Sequence, residues 1–409
     1  MSAVINEMLN TIIMGNYDVI VCGGGPAGIG AAVAASRKGM RTLLIEQYGF
    51  LGGMWTTGLV NPLFDAENKS GIVREIVDKL KERQAWGAFW DICFDIETMK
   101  HLLDELTQEA GVDVLFHTYF SSPILDGNIV KGVIVENKGG RMAFEGTIVI
   151  DCTGDGDVAA RCGAEFKIGR EEDGETQAMT LMFLLGNIDY LQHEPHELYE
   201  MMKKAVENND TGYEIDFNCP YVIKLPIGRY AVVQLTHIRG KCALNPFELS
   251  NSEQLGRKMV MDAYKFFKKY IPEFKDIDLI TTAPHMGIRE TRRIVGEYTL
   301  TYEDVLRGEK FEDGIVDVTF GIDIHNSEST NQTVEHVKPY RIPYRCLIPK
   351  GLINILVAGR CISGDFMAHA SYRVTGNCLA MGEKAGYAAA QAVTKNIDVR
   401  DINVKELLI

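Results

Sequence analysis

The chain reads DVIVCGGGPAG over residues 18–28, and this stretch decides the fold. Its apolar half predicts a buried strand that runs directly into three glycines. A helix of small residues is expected over Ile29 to Lys38, ended by Gly39. A second apolar run, TLLI at 42–45, closes on Glu46. Strand, glycine turn, helix, strand and terminal acid together indicate the dinucleotide-binding fingerprint, with a glycine-rich turn that binds nothing as the alternative.

Each glycine of this unit, the start of its helix and its terminal acid have a physical role. Gly23 permits a tight turn out of the strand, Gly25 leaves room for a pyrophosphate, and Gly28 allows close packing of the helix. The helix N-terminus offers unpaired N–H groups to phosphate. Glu46 can accept hydrogen bonds from both ribose hydroxyls and would repel a 2′-phosphate. The residues assigned to nucleotide binding here are Gly23, Gly25, Pro26, Ala27, Gly28 and Glu46.

The composition limits the class of protein. The chain has 409 residues, of which 46% are hydrophobic, so it can bury a large core. A formal net charge of −14 argues against nonspecific nucleic-acid binding, which needs basic surface. Local arginines can still bind an anionic substrate.

Cysteine usage and the N-terminal composition bear on location. No Lys or Arg precedes Arg37, whereas a secretory signal starts with basic residues, and no apolar run is long enough to span a membrane. The nine cysteines include no C-x-x-C pair. We therefore expect reduced thiols, a cytoplasmic location, no membrane contact and no metal site.

Further glycine turns occur far along the chain. They are GFLGGMW at 49–55, IVIDCTGDGD at 148–157, LINILVAGR at 352–360, and RVTGN at 373–377, which leads into a small-residue helix. Together with residues 18–46, they resemble the FAD-dependent oxidoreductases of the glutathione-reductase-like superfamily. The runs GIRETRR at 287–293 and IPYRCLIPK at 342–350 are similar to a poorly characterised bacterial branch of such proteins.

The resemblance implies FAD as the cofactor and assigns roles to these turns. Gly52 and Gly53 would run beside the ribityl–flavin end, with Trp55 in the same binding loop, and Thr153 and Gly154 would lie near the adenine and ribose. The last strand, loop and helix would complete the flavin site through Gly359, Arg360, Val374 and Thr375, with the helix N-terminus at the flavin N1–C2=O edge. Asp155 and Asp157 either belong to this site or cap the next helix.

The resulting fold class is α/β. A FAD-binding Rossmann-type domain with a parallel sheet and an inserted β-meander is expected over residues 17–165 and 340–409. A discontinuous α+β substrate or cap domain would occupy residues 166–339, and residues 1–16 would form a short helical arm. Other expected elements are helices at 71–86, 97–110, 253–270 and 379–393, a parallel strand at 112–117, a meander within 123–150, a strand at 178–185, a hairpin at 221–235 and a short helix capped by Thr301.

Several polar residues outside the glycine turns are candidates for chemistry. Arg289, Arg292 and Arg293 form a dense basic group, and at least one of them, with Arg289 the residue named for the site, would hold an anionic substrate unless the group pairs with Glu290 and Glu297. The nearby His285 is a weaker candidate.

Residues just before the closing helix would face the flavin ring. His369 or Arg373 would manage the proton that accompanies hydride transfer, unless His369 is a structural loop residue. His325 is a further candidate base oriented by Asp323, with a surface strand end as the alternative. Tyr340, Tyr344 and Arg345 would wall the substrate cavity or pack between domains.

These expectations predict an FAD-dependent oxidoreductase that transfers a hydride between a small polar or anionic organic substrate and flavin N5. A second G-x-G-x-x-G unit is absent, so reduction by a redox partner or by transiently bound NAD(P)H is open. The alternatives are a flavin monooxygenase using NAD(P)H and O2, and an FAD-binding scaffold or electron-transfer subunit. A homo-oligomer is possible.

Overall fold

A computed structural model describes residue 5, residues 7–188 and residues 194–408. In these ranges the α-helices are α1 (Pro26–Arg37), α2 (Gly71–Glu82), α3 (Ile96–Ala110), α4 (Asp157–Arg161), α5 (Pro195–Asn208), α6 (Pro246–Tyr270), α7 (Tyr302–Arg307), α8 (Phe366–Tyr372) and α9 (Thr375–Lys395). The strands are β1 (Ile12–Cys22), β2 (Thr42–Ile45), β3 (Trp86–Gly87), β4 (Cys93–Phe94), β5 (Asp113–Leu115), β6 (Tyr119–Asp126), β7 (Ile129–Asn137), β8 (Gly140–Asp151), β9 (Phe166–Ile168), β10 (Phe183–Gly186), β11 (Tyr221–Lys224), β12 (Tyr230–Gln234), β13 (Asp278–Thr282), β14 (Arg292–Ile294), β15 (Gly314–Val318), β16 (Ile322–His325), β17 (Gln332–Glu335), β18 (Tyr340–Pro343) and β19 (Ile355–Val357).

The main sheet has the order β5-β2-β1-β8-β7-β6, and β19 pairs with β8. Strands β5, β2, β1, β8 and β19 run parallel, and β8 pairs with β1 from Met142 to Asp151. The first half of β8 pairs antiparallel with β7, and β7 with β6, which is the inserted meander. The α/β class and the mixed sheet that contains a parallel core are thus confirmed.

The β1 turn has the geometry that its glycines predict. Residues Val19 to Cys22 are buried at the centre of the sheet. Gly23 has φ +99°, a left-handed conformation that side chains disfavour, and a Cβ there would overlap the Cys152 carbonyl. A Cβ at Gly28 would overlap the Gly23 carbonyl. The first turn of α1 can therefore follow β1 closely.

Helices α1 and α9 cross at very short range. Cβ atoms at Gly382 and Gly386 of α9 would overlap the carbonyls of Ala27 and Ala31 in α1. This contact of small residues brings the start of α9 next to the start of α1, although the two lie far apart in sequence. Both helix N-termini consequently face the carboxyl edge of the parallel strands.

The middle of the chain forms separate antiparallel pairings. The four-stranded sheet has the order β11-β12-β10-β13, and β16 pairs with β17. The expected hairpin corresponds to β11 and β12, and the expected strand at 178–185 is observed as the shorter β10. Helix α6 begins at Pro246 rather than at residue 253, because Asn245 accepts hydrogen bonds from the N–H groups of residues 247 and 248.

The expected helical arm at residues 1–16 is wrong where the structure describes it. Residues 7–11 have no regular structure, and Ile12 to Asn16 extend β1. They pair with Met142 to Glu145 of β8, so a non-local strand partner overrides the local helical pattern. Residues 1–4 and residue 6 lie outside the described residues.

The domain boundaries at residues 165 and 340 stay a prediction. Strand β9 pairs with β14, and β15 pairs with β18, which starts at Tyr340.

In the part of the chain that the structure describes, none of the helices is long and apolar enough to cross a membrane.

Candidate functional site

A cavity of about 680 Å³ lies at the carboxyl ends of β1, β2, β8 and β19. This is the edge at which open parallel sheets bind ligands. Most of the residues expected to bind FAD or substrate line it. They are Gly23, Gly25, Pro26, Ala27, Glu46, Gly53, Thr153, Gly154, Arg289, Gly359, Arg360, Arg373, Val374 and Thr375.

Glu46 lies at the carboxyl end of β2. Its carboxylate accepts hydrogen bonds from the backbone N–H of Gly24 at 2.6 Å and of Tyr48 at 2.9 Å. Burial raises the pKa of Glu46, and these two N–H groups oppose the rise. A carboxylate offers about four lone-pair sites, and the N–H groups of Gly24, Tyr48 and Gln47 occupy three of them, so Glu46 can still accept a hydrogen bond from a ribose hydroxyl.

Two glycine loops, one after β1 and one after β2, lie side by side and form a cradle that would hold the phosphates of FAD. A Cβ at Gly25 would meet only the Gly53 Cα, at 3.7 Å, so the space in front of this backbone is open. Gly25 is also the N-cap of α1 and has no side-chain cap. Pro26 has no N–H group and the Gly24 N–H bonds to Glu46, so the donors that the first turn of α1 can offer to an anion are the N–H groups of Ala27 and Gly28.

Two residues of the C-terminal part of the chain also line the cavity, and each has a polar atom without a partner among the described residues. The Arg360 Nη1 and Thr375 Oγ1 atoms are buried and have no hydrogen-bond partner among the described residues. Arg360 Nη2 donates to Asp155 at 2.8 Å, which fixes the guanidinium beside Gly154. An open glycine cradle, an accessible ribose acid and unpaired donors fit FAD. When bound, FAD accepts and returns a hydride.

Four of the expected site residues do not line the cavity. Gly28 and Gly52 act through the backbone, since Gly52 donates to the Gly24 carbonyl at 2.8 Å and so joins the two loops. Trp55 is fully buried under its loop and packs edge-on against Phe94. His369 is 1% exposed within α8 and lies edge-on to Tyr372, away from the cavity wall.

Two arginines line the part of the cavity next to α9. Arg373 ends α8 and donates to Asp323 of β16. Arg289 donates to the Ala178 carbonyl at 2.7 Å and to Thr180 Oγ1 at 2.8 Å, and it has no ion pair among the described residues. Burial, followed by repulsion from Arg373, lowers the pKa of Arg289 to about 9. The guanidinium is still charged at neutral pH.

The other two arginines of the basic group have structural contacts. Arg292 pairs with Asp157 at 2.9 Å and donates to the Asp155 carbonyl. Arg293 is buried in an ion pair with Glu290, so the ion-pair alternative holds for it. Within this group, Arg289 is therefore the remaining candidate for substrate binding.

His325 is buried rather than placed on a surface strand end. It lines the cavity, and its Nε2 lies 3.4 Å from Asp323 Oδ2. Its Nδ1 lies 2.8 Å from Nε2 of His237, a residue that the sequence analysis did not single out. The two histidines are 88 positions apart, so no local pattern indicates their contact.

The positions of the other candidate residues decide whether they line the cavity or pack elsewhere. The Tyr340 hydroxyl bonds to Ser371, the Tyr344 hydroxyl donates to the Val399 carbonyl, and Arg345 pairs with Asp313. Tyr340 and Tyr344 are buried, Arg345 is exposed, and none of the three lines the cavity. His285 does line it, edge-on to Tyr48 near Glu46. Asp155 and Asp157 also line it while holding Arg360 and Arg292.

The cavity also has an aromatic wall that no sequence motif indicated. Trp90 and Tyr221 both line it and meet edge-to-face, with ring centroids 5.9 Å apart. Residues Ala88, Trp90 and Asp91 all have positive φ, so this loop has a strained backbone that no sequence pattern signals.

The fold and site define a flavoprotein with a Rossmann-type FAD domain. The chain belongs to the FAD dependent oxidoreductase family, whose model matches residues 18–408. It is thus an FAD-dependent enzyme, as predicted. The narrower placement in the glutathione-reductase-like superfamily stays a prediction.

Several known proteins are similar to this chain in sequence or in fold. Thiamine thiazole synthase of Methanococcus vannielii is 30% identical over 170 residues, which cover 39% of this chain and 64% of that protein. The match therefore spans less than two thirds of that relative. Digeranylgeranylglycerophospholipid reductase of Picrophilus torridus is 60% identical over 37 residues, 9% of either chain. The flavin-dependent brominase Bmp2 aligns with a TM-score of 0.51 at 13% identity, covering 96% of this chain and 81% of that one, which shows a shared fold.

Proposed function

We propose that the protein transfers a hydride between a small anionic organic substrate and flavin N5. The observation that carries the proposal is Arg289, which lines the same cavity as the residues that fit FAD, is half-buried, and has no ion pair among the described residues. A partly buried cation that lacks a carboxylate partner is costly, and a bound anion removes that cost. The substrate class is therefore a carboxylate or another small anion.

The residues have distinct roles in this proposal. Glu46 would hold the adenosine ribose, the α1 N-terminus the pyrophosphate, and the α9 N-terminus the edge of the flavin ring. Arg289 would bind the anionic group of the substrate. Arg373 precedes α9 directly and would orient the substrate while it holds Asp323.

The base in this proposal is His325 rather than His369. His325 borders the cavity beside Asp323, whereas His369 is enclosed in α8. Burial, then the charge of Arg289, lowers the pKa of His325 to about 4. The imidazole is consequently neutral at pH 7 and can accept a proton from a substrate hydroxyl or amine.

The test is an anaerobic screen of the purified holoenzyme against small carboxylates and their neutral amide analogues. We expect a carboxylate to bleach the flavin absorbance and the matched amide to fail. Bleaching by neutral compounds only would contradict an anionic substrate.

The same preparation separates the two alternatives. NAD(P)H oxidation that consumes O2 and forms a hydroxylated product would establish a monooxygenase instead. Bound flavin that no metabolite reduces, together with a tightly bound protein partner, would favour a scaffold or electron-transfer subunit.

A further inference from the structure

Two buried histidines form a continuous chain of contacts beside the cavity. The chain runs from the Leu235 carbonyl to His237 Nδ1 at 3.3 Å, then from His237 Nε2 to His325 Nδ1 at 2.8 Å. It ends with His325 Nε2 at 3.4 Å from the Asp323 carboxylate. His325 borders the cavity, and His237 lies behind it, stacked on Phe217 with ring centroids 3.9 Å apart.

The number of protons in this chain is constrained by its ends. A carbonyl and a carboxylate can only accept hydrogen bonds, so the three contacts need three N–H groups on the two rings. Two neutral imidazoles supply only two. Whichever tautomers are present, one contact has no proton until the pair takes up one more.

Charged groups around the pair decide when this proton is held. Arg289 and Arg373 oppose it at His325, and Arg289 and Arg239 oppose it at His237, whereas Asp323 favours it. Burial alone would raise the pKa of Asp323, yet His325 and Arg373 hold that pKa below its usual range. Gln332 of β17 also donates to the Asp323 carboxylate at 2.6 Å, so Asp323 is a fixed anion.

We propose that His237 and His325 act as one proton acceptor for the reaction, with a capacity of a single proton that enters at His325. This inference rests on the proposed hydride transfer. As the substrate is oxidised, its C–H bond breaks and the electron pair leaves with the hydrogen to FAD. The O–H or N–H proton passes to the pair, and a C=O or C=N bond forms.

Protonation of the two histidines is more favourable once the substrate has been oxidised. An anion near Arg289 and Arg373 offsets the charges that oppose protonation, and the third N–H completes every contact from Leu235 to Asp323. His237 is a positioning residue, because it accepts the N–H that His325 presents once His325 holds the extra proton. Without that acceptor, a protonated His325 would bury an unpaired N–H.

The test uses the holoenzyme labelled with ¹⁵N-histidine, in which NMR distinguishes protonated from bare ring nitrogens. Spectra are compared at pH 7 with the flavin oxidised and after anaerobic reduction by dithionite, which adds negative charge to the cavity. We expect two N–H groups on the pair in the oxidised protein and three in the reduced protein. The His325→Gln variant assigns the signals, and His101→Gln on the exposed face of α3 is the control that leaves the change intact.

Two variants of His237 separate positioning from simple packing. His237→Leu removes the acceptor and should abolish the third N–H, whereas His237→Gln supplies an amide oxygen and should retain protonation of His325. A pair that keeps two N–H groups in protein whose flavin is fully bleached would overturn the proposal, as would an unaltered gain in His237→Leu. If His369 alone gains the proton, the pair is not the acceptor. A chain that binds no FAD would instead overturn the proposed function.

Discussion

Arg373 donates from Nη2 to Asp323 twice, to the main-chain carbonyl at 2.9 Å and to the carboxylate at 3.2 Å. This contact joins the residue that precedes α9 to β16 in the middle of the chain. Asp323 in turn borders His325. The flavin end of the cavity and the proposed base are thus fixed to each other by one ion pair, so changes at Asp323 affect both.

Replacement of Arg289 by Ala should weaken substrate binding. A charge-assisted contact worth ~1.5–3 kcal/mol predicts a KM increase of about tenfold or more. The measurement is steady-state kinetics with the anion that bleaches the flavin. Arg257→Ala on the exposed face of α6 is the matched control and should leave KM unchanged. An unchanged KM with a lower Tm in Arg289→Ala would assign Arg289 to structure, through its bonds to Ala178 and Thr180.

Two glycine substitutions should separate cofactor binding from folding. Gly25→Ala places a methyl group in open space, so the apoprotein should keep its Tm while FAD affinity falls about tenfold or more. Gly28→Ala forces a methyl group onto the Gly23 carbonyl and should cost about 1–3 kcal/mol of stability. Fluorescence titration with FAD and thermal unfolding of the apoprotein measure the two effects. Equal loss of stability in both variants would contradict an open cradle at Gly25.

The charge of Glu46 should matter for FAD and not for shorter flavins. Glu46→Gln keeps one acceptor but removes the charge from the ribose contact, so FAD affinity should fall by about tenfold, or ~1.4 kcal/mol. Affinity for riboflavin, which lacks the adenosine, should not change. Glu97→Gln on the exposed surface of α3 is the control. Equal weakening of FAD and riboflavin would show that Glu46 acts by holding Gly24 and Tyr48 in place.

The acid limb of the rate should report His325. The neutral imidazole is the competent base, so kcat/KM should fall as the pH drops through the pKa of His325, about 4 in the free protein. The charge of Asp323 raises the pKa of His325. Asp323→Asn should therefore move the acid limb to lower pH. A limb that stays in place, or moves to higher pH, would remove His325 from the proton path.

Thermal stability provides the control for the Asp323→Asn variant. The folded protein holds the pKa of Asp323 below its unfolded value, so the carboxylate stabilises the fold above the unfolded pKa of about 3.9 and loses this effect as the pH falls. Asp323→Asn should lower Tm at pH 7, and the difference from the native protein should shrink on acidification. A difference in Tm that is independent of pH would indicate lost packing rather than lost charge.

Much of the nucleotide site could be predicted because its parts are local. Strand β1, the glycine turn, α1, β2 and Glu46 lie within about thirty residues, and each step depends on turn geometry or short-range patterning. The capping box of α7, formed by Thr301 and Asp304, and the hairpin of β11 and β12 were predictable for the same reason. Where pairing is non-local the prediction fails, as at Ile12 to Asn16, whose strand partner lies in β8.

By itself, the sequence determined the class of cofactor, because glycine, helix N-terminus and terminal acid are fixed in order along one short segment. Only the tertiary structure decided which polar residues face that cofactor. Arg293 is buried in an ion pair with Glu290, which leaves Arg289 as the candidate for the substrate. His325 lies on the cavity wall and His369 does not, so His325 is the candidate base. His237 follows β12 and His325 ends β16, a strand of another sheet, so their contact depends on tertiary packing, and their separation of 88 positions hides it from any local pattern.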